Sequence, residues 1–322
     1  MEKEKYKSPR IPLYKKRSLG EKITATFEFL KENWRVWLSC VTYLLLPLCL
    51  FQALAQNILT STFMNVSILE NANDDSPFIT MVLAYGVQTL FVITGSILLS
   101  SLIYAMLRYY RENDHRLTGV TLRDLKSLIL HNIKRMLIVT LLGIALTIVV
   151  IAIIVLLIDH PILLLLILIA MIALLIPMML ILPVYVFEDD TTVFGAVSRG
   201  FTLGLNTWGG TFMVALVTGI LAYILQIVTS IPWYIAFMVK TIFFVSDSSN
   251  TFFDSGIYNF LLYLFGVLQA FGTYIASSFT VTGIAYQYGS AAEEQDAISV
   301  DADIQNFERM TDNDELSDFE NL

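Results

Sequence analysis

The chain has 322 residues, of which 56% are apolar and 15% charged, and its net charge at pH 7 is −8. Soluble domains contain about 45–50% apolar residues, so this composition, with a mean hydropathy of +0.67, excludes an ordinary soluble fold. A membrane-spanning helix needs about 20 apolar residues, because the hydrocarbon core is about 30 Å thick and a helix rises about 1.5 Å per residue. The sequence predicts an all-α, polytopic membrane protein.

The N-terminal 35 residues are basic and contain an amphipathic segment. They carry ten Lys and Arg against five Asp and Glu. Residues 1–17 are predicted as a basic cytoplasmic segment ahead of a membrane domain over residues 18–288. Ser18 and Glu21 have the spacing of a helix capping box. The apolar residues that follow recur at helical intervals; they are Leu19, Ile23, Phe27, Leu30 and Trp34. We expect an interfacial helix before the first span.

Six stretches are long enough and apolar enough to cross a membrane. They are Trp34 to Asn57, Phe78 to Leu107, Ile133 to Ile158, Pro161 to Phe187, Gly209 to Ile231 and Gly256 to Gln287. Lys and Arg concentrate in the N-terminal segment and in the loop after the second span, whereas residues 58–77 contain neither. Loops rich in Lys and Arg stay on the cytoplasmic side. The pattern predicts six spans with both termini in the cytoplasm.

Amphipathic segments also precede the third and fifth spans. Thr121 and Asp124 repeat the capping-box spacing, and Thr192 opens the last segment. The apolar positions are Leu122, Leu125, Leu128, Ile129 and Ile133 in the second segment, and Val193, Phe194, Val197, Phe201, Leu205 and Trp208 in the third. Each unit is interpreted as an interfacial helix followed by a two-span hairpin. Three such units indicate an ancestral triplication.

The region after the fifth span is the least regular. Residues 209–246 are too long for one simple crossing, and Pro232 is expected to break the helix. Residues 232–250 are therefore predicted as an interfacial or re-entrant segment, with a seventh span as the alternative. Lys240 is charged within this apolar region, which makes it a candidate for a polar intramembrane path. The favoured interpretation is that the Lys240 side chain extends along the helix so that its ammonium group reaches the lipid headgroups.

Three glutamines lie deeper in the apolar stretches; they are Gln88, Gln226 and Gln269. Amides at such depth either line a polar path or join helices by hydrogen bonds, and the second interpretation is favoured. Small residues in the last span predict a closely packed seam; they are Gly266, Ala270, Thr273, Ser277 and Thr280. Cys40 and Cys49 fall on opposite faces of the first span, which argues against a disulfide between them.

The C-terminal residues 289–322 are strongly acidic, with eleven Asp and Glu against one Arg. Such a composition predicts a disordered cytoplasmic tail. The tail is interpreted either as a docking peptide for a basic protein partner or as a solubilising extension. The other expected partner is the lipid bilayer, and no nucleic-acid partner is expected.

Two stretches carry a family resemblance. Leu19-Gly20-Glu21 with the helix that follows to Trp34, and Pro183 to Glu188 running into Gly195 to Leu203, resemble the glycerophosphoryl diester phosphodiesterase membrane-domain-like proteins, a group of uncharacterised bacterial membrane proteins. The resemblance covers roughly residues 18–290 and implies a multi-pass protein of the bacterial cytoplasmic membrane. Members fused to a phosphodiesterase carry a separate soluble catalytic domain, for which this chain has no room outside its spans, so no hydrolase activity is implied.

The sequence contains no P-loop, dinucleotide fingerprint, nucleophile elbow or paired-His zinc motif. The three histidines, His115, His131 and His160, are predicted on opposite sides of the membrane, so they cannot share a metal, and no cofactor is expected. The favoured function is a non-enzymatic membrane scaffold or assembly factor. The alternative is a transporter or lipid-handling permease with a path between the hairpins, and an intramembrane enzyme is least favoured.

Overall fold

The structure is a computed structural model that describes residues 9–68, 76–245 and 255–298. Over these ranges the chain forms nine α-helices and no β-strand. The helices are α1 (Leu19–Glu32), α2 (Trp34–Ile68), α3 (Ser76–Glu112), α4 (Leu122–Leu156), α5 (Pro161–Met178), α6 (Ile181–Phe187), α7 (Val193–Asn206), α8 (Trp208–Val245) and α9 (Gly256–Asp296). The prediction of an all-α fold is confirmed.

Six regions of the described helices are long and apolar enough to cross a membrane, as predicted. They are Trp34–Thr62, Ile79–Glu112, Leu122–Leu156, Pro161–Phe187, Trp208–Phe243 and Gly256–Asp296. Helix α9 continues to Asp296, so residues 289–296, predicted as the start of the disordered acidic tail, are helical, and residues 299–322 of that tail lie outside the described residues. Residues 58–68 of the predicted loop before span two extend α2, and residues 69–75 lie outside the described residues.

The first and third amphipathic segments form separate helices, α1 and α7, whereas the second does not. In α1 the predicted capping box is present, because the Ser18 amide donates to Glu21 Oε2 at 2.7 Å and the Glu21 amide donates to Ser18 Oγ at 3.4 Å. The Thr192 hydroxyl accepts from the Gly195 amide at the start of α7. Residues 122–133 instead continue without a break into span three as α4.

The expectation that Pro232 breaks span five is wrong, because α8 runs without interruption from Trp208 to Val245. Residues 232–245 are therefore the continuation of this helix, and residues 246–250 lie outside the described part. A proline removes one backbone hydrogen bond. Ending the helix inside a bilayer would leave several backbone groups without partners, so continuation is the less costly solution. Pro47 is accommodated within α2 in the same way.

Span four is the one described span that is divided, into α5 and α6. The division follows Pro177, where the amides of Met179 and Leu180 bond to carbonyls three residues earlier. In a regular helix the Ala173 carbonyl would accept the amide of residue 177, which is a proline and has none. The Trp208 indole N–H donates to that carbonyl instead, at 3.0 Å. A side chain from the α7–α8 junction thus supplies the missing donor.

The described chain divides into two compact units. The first contains the described residues within Met1–Phe29, Val139–Ala215 and Gly283–Leu322, and the second contains Leu30–Ile138 and Leu216–Thr282. Large buried side chains of the first unit include Phe29, Tyr286 and Tyr288. Those of the second unit include Leu45, Leu99, Leu102, Ile103, Met106 and Tyr110. Cys40 and Cys49 are free thiols buried in the second unit.

Candidate functional site

Two of the four predicted intramembrane candidates, Gln88 and Lys240, form separate helix-to-helix contacts in the second unit. Gln88 Nε2 on α3 donates to Gln56 Oε1 on α2 at 2.8 Å. Gln88 Oε1 is buried and has no hydrogen-bond partner among the described residues. A second amide on α2, Gln52, accepts from the Tyr274 hydroxyl of α9 at 2.8 Å. These bonds join α2 to α3 and to α9, so the amides hold helices together.

The remaining candidates do not share a partner with Gln88. Lys240 Nζ, near the C-terminal end of α8, donates to Asn259 Oδ1, near the N-terminal end of α9, at 2.7 Å. Gln226 and Gln269 are half-buried, and neither side chain forms a hydrogen bond within the described ranges. The four predicted residues therefore do not line one continuous polar path through hydrogen-bonded contacts.

An apolar cleft of about 420 Å³ lies between α2 and α3 in the second unit. The cleft is open to the protein surface, and its lining is almost entirely apolar. The lining residues are Phe51, Leu54, Ala55, Ile58, Thr80, Leu83, Ala84, Val87 and Phe91. None of the four candidate polar residues lines it. Its size falls in the range of about 300–1,000 Å³ that is usual for small-molecule sites. Its chemistry suits a hydrocarbon chain and not a polar solute.

The predicted small-residue seam of α9 is present around Gly266 and Ala270. A Cβ on Gly266 would lie 3.3 Å from Ala53 on α2 and 3.6 Å from Trp233 on α8, and Ala270 is buried. Further along, the buried positions shift to Tyr274 and Ser278. The predicted Thr273, Ser277 and Thr280 are half-buried. The Trp37 indole donates to the Ser278 hydroxyl at 3.2 Å, so the seam bonds helices as well as packing them.

A polar network in the first unit centres on Gln287 of α9, which is fully buried. Its Oε1 accepts from Lys22 Nζ of α1 at 2.8 Å. Its Nε2 donates to the hydroxyls of Thr207 and Thr211, at 3.2 and 3.0 Å. Burial lowers the pKa of Lys22, although the charge of Glu294 opposes this. The network satisfies the amide completely and joins α1, α8 and α9.

A charged cluster in the same unit centres on Arg199 of α7. The guanidinium pairs with Glu188 at 2.7 Å and with Asp296 at 2.5 Å. The Tyr288 hydroxyl also donates to Glu188, at 3.0 Å. Burial lowers the pKa of Arg199, but its hydrogen bonds to the two carboxylates outweigh that effect and raise the pKa overall. The end of α9 is thereby fixed to α7.

The segment before α1, residues 11–18, packs along the end of α9 and is called the N-terminal strap. The Leu13 carbonyl lies where a Cβ on residue 289 would be, so Gly289 is required there. The Arg17 amide donates to Ser290 Oγ at 3.1 Å, and its guanidinium stacks on Tyr286. Burial lowers the pKa of Arg17. Lys16 pairs with Glu294 at 2.6 Å. The strap is thus an integral part of the first unit.

Helix α7 packs against the divided span four through glycines that the apolar pattern did not single out. A Cβ on Gly200 would lie 2.6 Å from the Ile181 Cα, and a Cβ on Gly204 would collide with the backbone of Pro177. Gly200 and Gly204 have the small-xxx-small spacing that allows close helix approach. That spacing is visible in the sequence and could have indicated this contact. Phe194, a residue of the predicted apolar stripe, lies on the exposed side of α7.

The described residues contain no group of three His, Cys, Asp or Glu side chains placed to hold a metal ion. The polar contacts of both units bond one helix to another, and the cleft is apolar. Fold and contacts together define a multi-pass α-helical membrane protein. Comparisons of the chain with protein-family models, curated proteins and solved structures find no match. The resemblance to the glycerophosphoryl diester phosphodiesterase membrane-domain-like family therefore stays a prediction.

Proposed function

We propose that this protein is a non-enzymatic membrane scaffold or assembly factor that binds a partner through the hairpin of spans three and four. One observation supports this proposal above the others. In the most apolar 18-residue window of span three no residue is buried, and in span four 6% are, against 50% in span two. The hairpin is therefore apolar on faces that the described chain leaves uncovered.

A hairpin that is apolar on all sides can face lipid or the helices of another membrane protein. Gly143 on α4 has open space beside it, and Thr147 bonds its hydroxyl to the Gly143 carbonyl. A partner helix could therefore approach the backbone closely at this position. The hydrogen-bonded contacts of Gln287 and Arg199 in the first unit support a structural role, because protein groups satisfy the polar atoms of both side chains.

The proposal is tested by photo-crosslinking in native membranes. A photoreactive residue at Ile148 or Ile169, both on the exposed hairpin, should give the same discrete protein adduct. The same residue at Val228 on α8, which is 61% exposed, is the matched control and should give none. Gly143→Leu should weaken the adduct without lowering thermal stability. Lipid adducts alone at all three positions would contradict the scaffold function.

A lipid-handling permease is the second candidate, and the apolar cleft between α2 and α3 favours it. The cleft lies within two predicted spans and has the lining expected for an acyl chain. Ala84→Phe would fill it. If the protein moves lipids, this variant should slow transfer of a labelled lipid between leaflets of proteoliposomes, whereas Ala173→Phe on α5 should not. Equal transfer rates with and without protein would exclude this candidate.

We also propose that both termini are cytoplasmic, in a bacterial inner membrane, as the distribution of Lys and Arg indicates. Single cysteines on a background lacking Cys40 and Cys49 provide the test. Positions in 64–74 should react with an impermeant reagent added outside, and positions in 112–118 only after permeabilisation.

We further propose that the acidic tail contacts a basic cytoplasmic protein. This is tested by comparing the proteins that copurify with the chain with and without residues 299–322.

A further inference from the structure

Two cations, Lys31 at the end of α1 and Arg35 at the start of span one, have no carboxylate partner among the described residues. Among the described residues, neither Lys31 nor Arg35 forms an ion pair or a hydrogen bond, and both are exposed. Other arginines near the helix ends are held by carboxylates, such as Arg116 by Glu32 at 2.5 Å and Arg199 by two carboxylates. The charges of Lys31 and Arg35 are therefore available to an external anion.

Arg35 lies against an exposed aromatic ring, that of Trp34, and Lys31 precedes Trp34 by three residues in the chain. Trp34 is 52% exposed, and the Arg35 guanidinium lies 5.5 Å from the centroid of its ring. One helical turn before Lys31, on the same continuous helix, Phe27 is 39% exposed. Tryptophan favours the headgroup level of a bilayer, and Lys and Arg extend their charges to the same level from helix ends.

We propose that Lys31, Trp34 and Arg35 form a docking surface for anionic phospholipid. The Trp34 ring would lie among the upper acyl and glycerol groups, and the two cations would contact the phosphodiester of a lipid with net negative charge. Charge complementarity selects this occupant over zwitterionic lipid, because each nearby Lys or Arg increases affinity for an anionic surface about fivefold. Helix α7 should show no such preference for anionic lipid, because its cation Arg199 is already paired with Glu188 and Asp296.

The test uses the full chain in phosphatidylcholine nanodiscs that contain brominated lipid, which quenches nearby tryptophan. The Trp34 emission is taken as the difference between wild-type protein and Trp34→Phe. At equal mole fraction, brominated phosphatidylglycerol should quench this emission at least about twofold more than brominated phosphatidylcholine, given the expected effect of each cation. In Lys31→Gln/Arg35→Gln the two lipids should quench equally. Both positions are exposed, so unchanged thermal unfolding is the check on folding.

The matched control is Arg123→Gln/Lys126→Gln, which removes two exposed cations from α4 and should leave the Trp34 preference intact. Three results would overturn the proposal: equal quenching of wild-type Trp34 by the two lipids, no quenching by either, or an equal loss of preference in the two double variants. None of these results depends on whether the hairpin of spans three and four binds a partner.

Discussion

Helices α1 and α7 both have 14 residues and an amphipathic pattern, but they pack in different ways. Helix α1 buries a large ring, Phe29, whose centroid lies 6.3 Å from that of Tyr286. Helix α7 buries Ala196, Gly200, Leu203 and Gly204, and its two glycines allow its backbone to lie against the backbone of span four. The comparison indicates that two helices of the same length and similar apolar pattern can contact protein through a large ring in one case and through glycines in the other.

The largest effect is expected at Phe29. Phe29→Ala removes a fully buried ring and should lower the free energy of unfolding by about 3–5 kcal/mol. Phe27 is two residues away on the same helix and 39% exposed, so Phe27→Ala is the matched control and should cost much less. Thermal unfolding in detergent measures both. Similar losses would mean that α1 is not anchored through the face that carries Phe29.

A smaller loss is expected from enlarging the close contact of α7. Gly204→Ala places a methyl group against the backbone of Pro177, which cannot yield as a side chain can. Overpacking of this kind lowers stability by about 1–3 kcal/mol. Gly20→Ala in α1 is the control, because that position is open and alanine favours a helix by up to about 1 kcal/mol. A Gly204→Ala protein as stable as wild type would show that α7 does not contact span four closely.

The hydrogen bond from the Trp208 indole to the Ala173 carbonyl allows a second test of the packing against span four. Trp208→Phe leaves the Ala173 carbonyl without its donor and should lower stability by about 1–3 kcal/mol. Pro177→Ala restores the missing backbone amide, so the cost of Trp208→Phe should fall in that background. A double-mutant cycle by thermal unfolding measures this coupling. Trp34→Phe, at an exposed ring, is the control. Additive effects of Pro177→Ala and Trp208→Phe would refute the compensation.

The smallest effect is expected in the pH dependence of the stability of the N-terminal caps of α1 and α7. Hydrogen bonds from the Ser18 amide and hydroxyl lower the pKa of Glu21. A lowered folded-state pKa adds stability above the ordinary glutamate pKa of about 4.3 and loses it as the pH falls through the folded value. The cap of α7 uses only the Thr192 hydroxyl, so the first turn of α7 lacks this dependence. Hydrogen exchange of the first-turn amides of α1 and α7 between about pH 6 and 3 checks the difference, with Glu21→Gln as control. Equal acid sensitivity of the two first turns would contradict it.

Much of the candidate site depended on residues distant in sequence. The amide of Gln88 was predicted to join helices, and it does so, but its partner Gln56 lies on another span. The roles of Gln287, Arg199 and the N-terminal strap were not predicted, because each includes a partner about 80 or more positions away along the chain, namely Thr207, Asp296 and Ser290. A local pattern carries no information on such pairs.

The sequence by itself determined the six spans, the all-α fold and the capping box of α1. Membrane thickness and backbone hydrogen bonding act on each segment separately, so composition and spacing along one stretch suffice to predict these features. Only the tertiary structure decided that α8 continues through Pro232, that Trp208 bonds the carbonyl left free by Pro177, and that the glycines of α7 pack against span four. These outcomes depend on packing and donors from other helices, because the partner of a backbone group or of a glycine is chosen in three dimensions.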